Sequence, residues 1–169
     1  NAITVVPTGT FGPGDRKPTT GQVIIDVAKN RLPVTLKGDS NAVSVFAVAE
    51  GVRLALEKGR VGRLYVLGHE NLTIPDLLKR IATITHGMAP LSALPPEFVR
   101  PQALIGEKIA WRAGSTKPLV PVVGIDFALY GAFLSSNVAT QELGYDPDKY
   151  HLDDAIRQAF EWFQDKGMV

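Results

Sequence analysis

The glycine-rich segment near the start of the chain is the first place where residue types and spacing could do chemistry. Gly9-Thr10-Phe11-Gly12-Pro13-Gly14 follows an apolar run, as many ligand-binding loops do. The dinucleotide-binding pattern Gly-x-Gly-x-x-Gly is not met, because the third glycine position, counted from Gly12, falls on Lys17. A phosphate-cradling loop is excluded as well, because Gly14 is followed by Asp15. By its own residues, this segment is either a structural turn or a loop that lines a ligand.

Tyr145 and Lys149 form the second candidate, a Tyr-x-x-x-Lys pair. On a helix, positions i and i+4 share one face, and a lysine charge there would lower the pKa of the tyrosine and make it an acid/base. Pro147 lies between the two residues and disfavours that helix. The sequence therefore predicts a turn before the last helix at this point, and no catalytic pair.

Metal and hydrolase chemistry find no support in the sequence. His69, His86 and His151 do not pair with one another at helical spacing, so no metal site is predicted. His86 beside Gly87 is interpreted as a cation at a helix end. The chain has no Gly-x-Ser-x-Gly motif and no cysteine, which excludes a nucleophile elbow, disulfides and thiolate ligands.

A polar group precedes the first predicted helix. Lys17, Thr19 and Thr20 are either a set that faces a ligand, because the free backbone N–H groups of a helix start favour anions, or an ordinary cap made by Thr19 or Thr20. The residues alone leave both readings open.

Composition narrows the class of protein. The 169 residues are 45% hydrophobic and 21% charged, which is typical of one globular domain. A net charge of +1 argues against a nucleic-acid partner, and no apolar run reaches the roughly 18 residues of a membrane span. No leader pattern is visible, and we expect a cytoplasmic protein. The chain starts at Asn1 and reaches an apolar run at once, so we expect a preceding segment.

The elements that must position these residues alternate between strand and helix in the first half and are mostly helix and loop in the second. The patterns predict a buried strand over 2–6, a loop over 7–15, a turn over 38–41 and short strands over 34–36, 42–45 and 63–68. They predict helices over 22–30, 47–58, 74–85, 102–113 and 137–143 and a last helix that opens at His151; residues 120–128 fit strand or helix. The prolines between 88 and 101 disfavour long regular structure there.

Several segments occur in the order and at the spacing of a known family. Val5-Val6-Pro7-Thr8 and Phe11-Gly12-Pro13-Gly14-Asp15 resemble V-x-P-x-x-x-x-G-P-G-D, and residues 49–59 resemble A-x-G-x-x-L-A-L-E-K-G. Residues 65–73 resemble Y-x-L-G-G-E-N-L-T, and residues 135–147 resemble S-x-x-K-A-x-x-E-L-G-Y-x-P. With the last helix, these segments cover nearly the whole chain. The chain thus resembles the C-terminal half of the extended short-chain dehydrogenase/reductases, the NAD-dependent epimerase/dehydratase family, in its dihydroflavonol-reductase-like and hopanoid-associated sugar-epimerase branch.

The resemblance implies a fold and a function. It implies an α/β fold, the C-terminal part of an NAD(P)-binding Rossmann-type protein with a few parallel strands and a mostly helical substrate-binding subdomain. Residues 1–169 would be one substrate-side portion, without the half that carries the glycine-rich loop and the catalytic Tyr and Lys. Pro7, Thr8, Gly9 and Thr10 would line the nicotinamide end of NAD or NADP, and Lys17, Thr19 and Thr20 would border the substrate cleft.

Whether the chain is an enzyme is left open at this stage. One hypothesis is the substrate-binding half of an oxidoreductase or epimerase that acts on a hydroxyl or carbonyl carbon of a small molecule, inactive alone and without tight NAD(P) binding. The other is a non-catalytic binding or assembly module. Its partner would be the missing N-terminal half or a second copy, because an open strand edge is adhesive. Relatives often have F-V-H-V-D-D-V-A where this chain has Ser44, Phe46 and Ala47 at the His and Asp positions. Sugar-nucleotide epimerases of the family often have an Arg just before this segment, where this chain has Ser40-Asn41. These departures weaken a nucleotide-sugar reading and favour a divergent gene.

Overall fold

The computed structural model of the chain describes residues 2–99 and 128–169. Its strands are β1 (Thr4–Pro7), β2 (Gly9–Phe11), β3 (Val34–Leu36), β4 (Asp39–Ser44), β5 (Leu64–Leu67), β6 (Glu70–Thr73) and β7 (Ser92–Leu94). Its helices are α1 (Gln22–Ala28), α2 (Val45–Lys58), α3 (Ile74–Thr85), α4 (Asn137–Leu143) and α5 (Leu152–Asp165), with a 3-10 helix at Pro147–Lys149. The predicted helix over 102–113 and residues 120–127 lie outside the described ranges.

The strands form three small sheets, and most of the pairings are parallel. β1 pairs with β5, β2 pairs with β4 and β3 pairs with β7, all in parallel, and β6 adds to β4 in the antiparallel direction. Because β1 leads directly into β2 through Thr8, the chain passes from one sheet to the next at the carboxyl end of β1.

Local signals account for the helix boundaries. Ser44 accepts a hydrogen bond from the Phe46 N–H at 3.3 Å and begins α2, and Thr73 accepts one from the Asp76 N–H at 3.2 Å and begins α3. α3 ends at His86, whose φ of +56° closes the helix in the left-handed conformation. Gly144 closes α4 in the same way, with a φ of +76°.

Two hydrophobic cores follow from these elements. The first is filled by α1, α3 and α5 together with Phe11 and Ala42, and its buried centre includes Ile24, Ile81 and Phe163. The second lies between the β1–β5 sheet and the helices α2 and α4. Arg80 ties the elements of the first core together, because its guanidinium binds both Glu70 on β6 and Asp153 on α5.

Three predictions from the sequence were wrong in this part of the fold. The turn predicted over 38–41 is strand, because β4 begins at Asp39 and its Ser40 and Asn41 are buried. The loop predicted over 7–15 contains β2, since Gly9–Phe11 pairs with β4. β1 is present but not buried: Val6 is 38% exposed.

Other predicted elements were confirmed. The strand at 34–36 and the helix that begins at Gln22 are present, and Thr73, Ser136 and His151 directly precede α3, α4 and α5. No helix within residues 2–99 and 128–169 combines the length and the apolar character that crossing a membrane requires.

Candidate functional site

The carboxyl ends of β1 and β5 lie side by side because the two strands are parallel and in register from Thr4–Leu64 to Pro7–Leu67. Thr8 follows the first strand, and Gly68 and His69 follow the second. In open α/β sheets, ligands bind beyond the carboxyl ends of the strands. This edge is therefore the candidate site, and the predicted cofactor-binding segment Pro7–Thr10 lies on it.

A buried asparagine holds this edge together. Asn41 on β4 is 4% exposed, and its Oδ1 accepts hydrogen bonds from the Thr8 hydroxyl at 2.7 Å and from the His69 N–H at 3.1 Å. Its Nδ2 donates to Oδ1 of Asn71 at 2.7 Å and to the carbonyl of Leu134 at 3.4 Å. One side chain thus connects segments that are far apart in the sequence, and it fixes their relative positions.

Glycine is required on both sides of this asparagine. A Cβ at Gly68 would lie 2.3 Å from Oδ1 of Asn41, and a Cβ at Gly9 would lie 2.9 Å from the Asn41 carbonyl oxygen. Both distances are shorter than real contacts allow. Ser136 closes the edge, because its hydroxyl accepts from the Gly68 N–H at 2.8 Å and donates to the Gly68 carbonyl at 3.0 Å.

The predicted cofactor-binding residues are brought together by this arrangement. Pro7 ends β1, Thr8 links the strands, and Gly9 and Thr10 begin β2. The Thr8 hydroxyl donates to Asn41 and the Thr10 hydroxyl donates to the Thr8 carbonyl at 3.0 Å, so both donors are engaged within the protein. What this segment offers outward is the Pro7 ring and backbone atoms. Its cofactor role stays a prediction.

The predicted substrate-binding residues lie elsewhere, in the turn before α1. Lys17 and Thr19 are exposed and Thr20 is half-buried, and the capping position of α1 is Gly21 without a side-chain hydrogen bond. The alternative that Thr19 or Thr20 caps the helix was therefore wrong. Their proposed role toward a substrate stays a prediction.

Asp15 has the role that the sequence reading missed. Its Oδ2 accepts hydrogen bonds from the N–H groups of Thr19 at 3.2 Å and Gly21 at 3.3 Å. Two N–H groups before α1 are thus bound by the protein's own carboxylate, which leaves these two unavailable to an anionic ligand. The Asp at the end of Gly12-Pro13-Gly14-Asp15 was visible in the sequence, but only as part of a family pattern.

The turn predicted between Tyr145 and the last helix is confirmed, and the two residues Tyr145 and Lys149 do not share a helix face. Tyr145 is 1% exposed within the second core, and burial raises the pKa of its hydroxyl well above the usual range. Lys149 is exposed and lies 3.5 Å from the Asp146 carboxylate. The segment between them is the 3-10 helix that the proline favours.

The histidines serve local structure. Nε2 of His69 lies 2.8 Å from Oδ1 of Asp148, His86 ends α3, and His151 precedes α5. Among the described residues, no group of three or more His, Cys, Asp or Glu side chains could hold a metal ion.

A carboxylate at the opposite end of β5 from the candidate site is held in its charged form by several hydrogen bonds. Glu142 on α4 binds the guanidinium groups of Arg63, at 2.8 Å, and Arg60, and it accepts from the Tyr65 hydroxyl at 2.9 Å. The hydrogen bonds from Arg63, Arg60 and Tyr65 lower the pKa of Glu142 to about 2. This cluster fastens α4 to the turn before β5, which indicates a structural role.

Two cavities adjoin the site. The larger, of about 390 Å³, lies beyond Gly68 and His69 and is bounded by the start of α4 and the 3-10 helix. The smaller, of about 160 Å³, lies where β4 ends, between Ser44, Phe46 and the start of α5. None of the seven residues predicted to bind cofactor or substrate lines either cavity.

Comparisons with known proteins agree with this fold. A protein of Synechocystis sp. named "Putative dihydroflavonol 4-reductase" is 31% identical over 99% of this chain, which covers 49% of that protein. The crystal structure of gox2253 matches with 37% identity, a TM-score of 0.79 and coverage of 99% of this chain and 50% of that one. PA4631, a nucleoside-diphosphate-sugar epimerase from Pseudomonas aeruginosa, matches with 29% identity, a TM-score of 0.80 and coverage of 99% and 49%. No family model matches.

More distant structures share the fold alone. A UDP-glucose 4-epimerase from Thermus thermophilus, solved in complex with NAD, has 18% identity and a TM-score of 0.62, with coverage of 96% of this chain and 46% of that chain. NAD is thus bound by proteins of this fold. The chain spans about half the length of the relatives it matches.

These findings identify the fold class of the protein. The parallel strand pairs and flanking helices are those of the Rossmann-type α/β proteins, as the sequence predicted. These matches, each over about half of the relative's length, are consistent with the C-terminal half of an extended short-chain dehydrogenase/reductase of the NAD-dependent epimerase/dehydratase type.

Proposed function

We propose that this chain is the substrate-side half of an NAD(P)-dependent oxidoreductase or epimerase that acts on a hydroxyl or carbonyl carbon of a small molecule. By itself it neither binds NAD(P) tightly nor turns over. The half that binds the dinucleotide and supplies the tyrosine acid/base precedes it in the complete enzyme, as the family resemblance implies.

The main support for this proposal is that one edge of the β1–β5 sheet has no neighbouring strand within the described residues. Within the described residues β1 pairs only with β5, so its other edge presents free backbone N–H and C=O groups. The face of this sheet that carries Val6 and Leu64 is also open, with 38% and 52% of these residues exposed. A parallel sheet is stable when both of its faces are covered, which supports a further α/β half docked against β1.

The residues on this edge suit one end of a dinucleotide. Pro7 and the backbone of Thr8 and Gly9 provide a small wall against which a flat ring can pack, and no charged side chain intervenes in the segment. NAD(P), when bound, supplies the hydride acceptor or donor. In this proposal, the role of the chain is to fix the position of the Pro7–Gly9 segment through Asn41 and to border the substrate. The glycine-rich turn that grips the pyrophosphate, and with it the choice between NAD and NADP, belongs to the other half.

The open edge also favours a second candidate, an assembly module without catalysis. Free strand edges pair with other strands, so a second copy of the chain could cover β1 in place of the N-terminal half. A stable monomer with a well-dispersed NMR spectrum would contradict this self-assembling module.

The proposal is tested by completing the fold. The part of the Synechocystis relative that lies outside the match is fused ahead of this chain, and nicotinamide fluorescence is used to follow binding of NADH and NADPH. We expect the fusion to bind at least one of them and the 169-residue chain alone to give no NADH-dependent turnover. A Val6→Lys variant of the fusion should lose binding, because it puts a charge on the docking face; Val61→Lys, at an exposed turn position, is the matched control. Turnover by the chain alone would refute the proposal.

A further inference from the structure

Residues 131–136 lie beside the connection between β5 and β6 and lead into α4; we call them the strap. They have no regular secondary structure, and they contribute one wall of the larger cavity beyond Gly68 and His69. Residues 132–135 make no backbone-to-backbone hydrogen bond with any residue of the described ranges. The position of the strap therefore depends on side chains.

Apolar packing does not hold the strap in place. Its four central residues, Ala132 to Ser135, are all exposed, and Phe133 and Leu134 are 52% and 41% exposed. Burial of large apolar side chains is the main force that docks one element on another. A segment that lacks this burial can detach at a cost far below that of unfolding the whole chain.

Hydrogen bonds from two side chains hold the strap instead. Oδ1 of Asn71 accepts from the Leu134 N–H at 3.0 Å, and Nδ2 of Asn71 donates to the Leu134 carbonyl at 3.1 Å. The Ser136 hydroxyl accepts from the Gly68 N–H at 2.8 Å and donates to the Gly68 carbonyl at 3.0 Å. Each side chain thus pairs with the donor and the acceptor of one backbone residue, as a neighbouring strand would.

Asn41 connects the strap to the predicted cofactor-binding segment. Its Nδ2 donates to Oδ1 of Asn71 at 2.7 Å and to the Leu134 carbonyl at 3.4 Å. Its Oδ1 accepts from the Thr8 hydroxyl at 2.7 Å. Because one planar amide makes all three bonds, detachment of the strap removes one partner of Asn41 and loosens a second, and the partner of Thr8 is then less firmly oriented.

We propose that the strap opens while both cores stay folded, and that its closure fixes the Thr8 hydroxyl through Asn71 and Asn41. Opening also frees the N–H and C=O groups of Gly68 at the carboxyl end of β5. The strap thereby controls how firmly the Pro7–Thr10 segment is held. Its relevance to a cofactor rests on the function proposed above, whereas the opening and the coupling are properties of this chain alone.

Amide hydrogen exchange of the ¹⁵N-labelled 169-residue chain, followed by two-dimensional NMR, measures the opening. We expect the amides of Leu134 and Gly68 to be protected, with exchange rates that stay constant in low urea, because local opening exposes little surface. The amide of Ile81, in the first core, should exchange faster with each addition of urea. No protection at Leu134, or the same urea dependence at Leu134 and Ile81, would overturn the proposal.

A variant of the side chain that fastens the strap tests whether the strap moves as a unit. Asn71→Ala should raise the exchange rate at Gly68, which Asn71 does not bind, at least about fivefold, because two hydrogen bonds to the strap are lost. Asn137→Ala, at an exposed position at the start of α4, is the matched control and should leave this rate unchanged. An unchanged rate at Gly68 in the Asn71 variant would contradict the strap.

A variant on the cofactor-binding segment tests the coupling from the other end. Thr8→Val removes the hydroxyl that binds Asn41 and should raise the exchange rate at Leu134 about two- to tenfold, whereas Thr83→Val, on α3, should not. The rate at Ile81 is the internal reference: an equal increase there, or no increase at Leu134, would overturn the coupling. If these amides behave as expected but the fusion does not bind NADH or NADPH, only the proposed function fails.

Discussion

The two cores of this chain differ in how completely the chain encloses them. Helices α1, α3 and α5 pack around the first core, and its centre is fully buried. The second core covers only one face of the β1–β5 sheet: Tyr65 and Leu67 point into it and are buried, while Leu64 and Val6 face the other way and are exposed. The helical subdomain is thus complete within the described chain, and the Rossmann-type sheet has one uncovered face. The following variants test that difference, from the largest expected effect to the smallest.

Truncating a buried side chain in the first core should lower the free energy of unfolding the most. Phe163 is fully buried and its ring packs against Gly21 before α1, so Phe163→Ala removes a large apolar side chain from the core and leaves a cavity. We expect a loss of about 3–5 kcal/mol in the free energy of unfolding, measured by urea denaturation. Leu56→Ala, at an 81% exposed position on α2, should change it by less than about 0.5 kcal/mol. Equal losses would mean that the first core is not the stable unit.

Replacing Asn41, which lies between the sheets, should cause the next largest loss in the free energy of unfolding. Asn41→Ala leaves the Thr8 hydroxyl, the His69 N–H and the Asn71 amide without their shared partner, so we expect a loss of about 1–3 kcal/mol. Asn71→Ala should cost less, because Asn71 is exposed and water can replace it. Amide hydrogen exchange at Gly68 and His69 should accelerate in the Asn41 variant. A neutral Asn41→Ala would show that the edge is held by backbone pairing alone.

The Glu142 cluster should make the stability of the fold depend on pH in the acidic range. The pKa of Glu142 is lowered from its ordinary 4.5 to about 2 in the folded chain, so its contribution is present above pH 4.5 and is lost as the pH falls toward 2. We expect the stability of the wild-type chain to fall through this window relative to Glu142→Gln, which lacks the titrating group. Parallel pH profiles from thermal melts of the two proteins would contradict this assignment.

The smallest effect on folding should come from the open face of the sheet. Val6→Lys changes an exposed side chain, so the free energy of unfolding should move by less than about 0.5 kcal/mol. Its effect should be on association: if free edges and apolar surface drive self-association of the isolated chain, the lysine should reduce it in sedimentation velocity runs. Unchanged association would place the contact elsewhere on the surface.

Helix boundaries were predictable because they depend on neighbouring residues. Thr73 with Pro75 marks the start of α3, and Gly144 marks the end of α4, and both signals are read within a single turn of the helix. The family was predictable for a related reason, since its segments occur in order along the chain.

The predictions were wrong where the local structure depends on residues that are distant in the sequence. Ser40 and Asn41 look like a turn, but Asn41 accepts a hydrogen bond from Thr8 and donates to Asn71 and Leu134, which makes its burial in β4 possible. Gly9 looks like part of a loop, but its missing side chain is what lets β2 approach Asn41. The Tyr145 hydroxyl is buried without a hydrogen-bond partner in the described part of the chain. This too is a property of the packed structure, because the sequence shows that a tyrosine is present but does not show what its hydroxyl contacts.

The place of α5 in the first core bears on the order in which the chain can fold as it is synthesised. α1 begins at Gln22 and α5 only at Leu152, yet Ile156, Ala159 and Phe163 of α5 fill the same core as Ile24 and Val27 of α1. Until α5 has left the ribosome, the early helices have an uncovered apolar face. The subdomain therefore cannot finish folding from its amino-terminal side onward, and until α5 is available it exposes apolar surface of the kind that promotes aggregation.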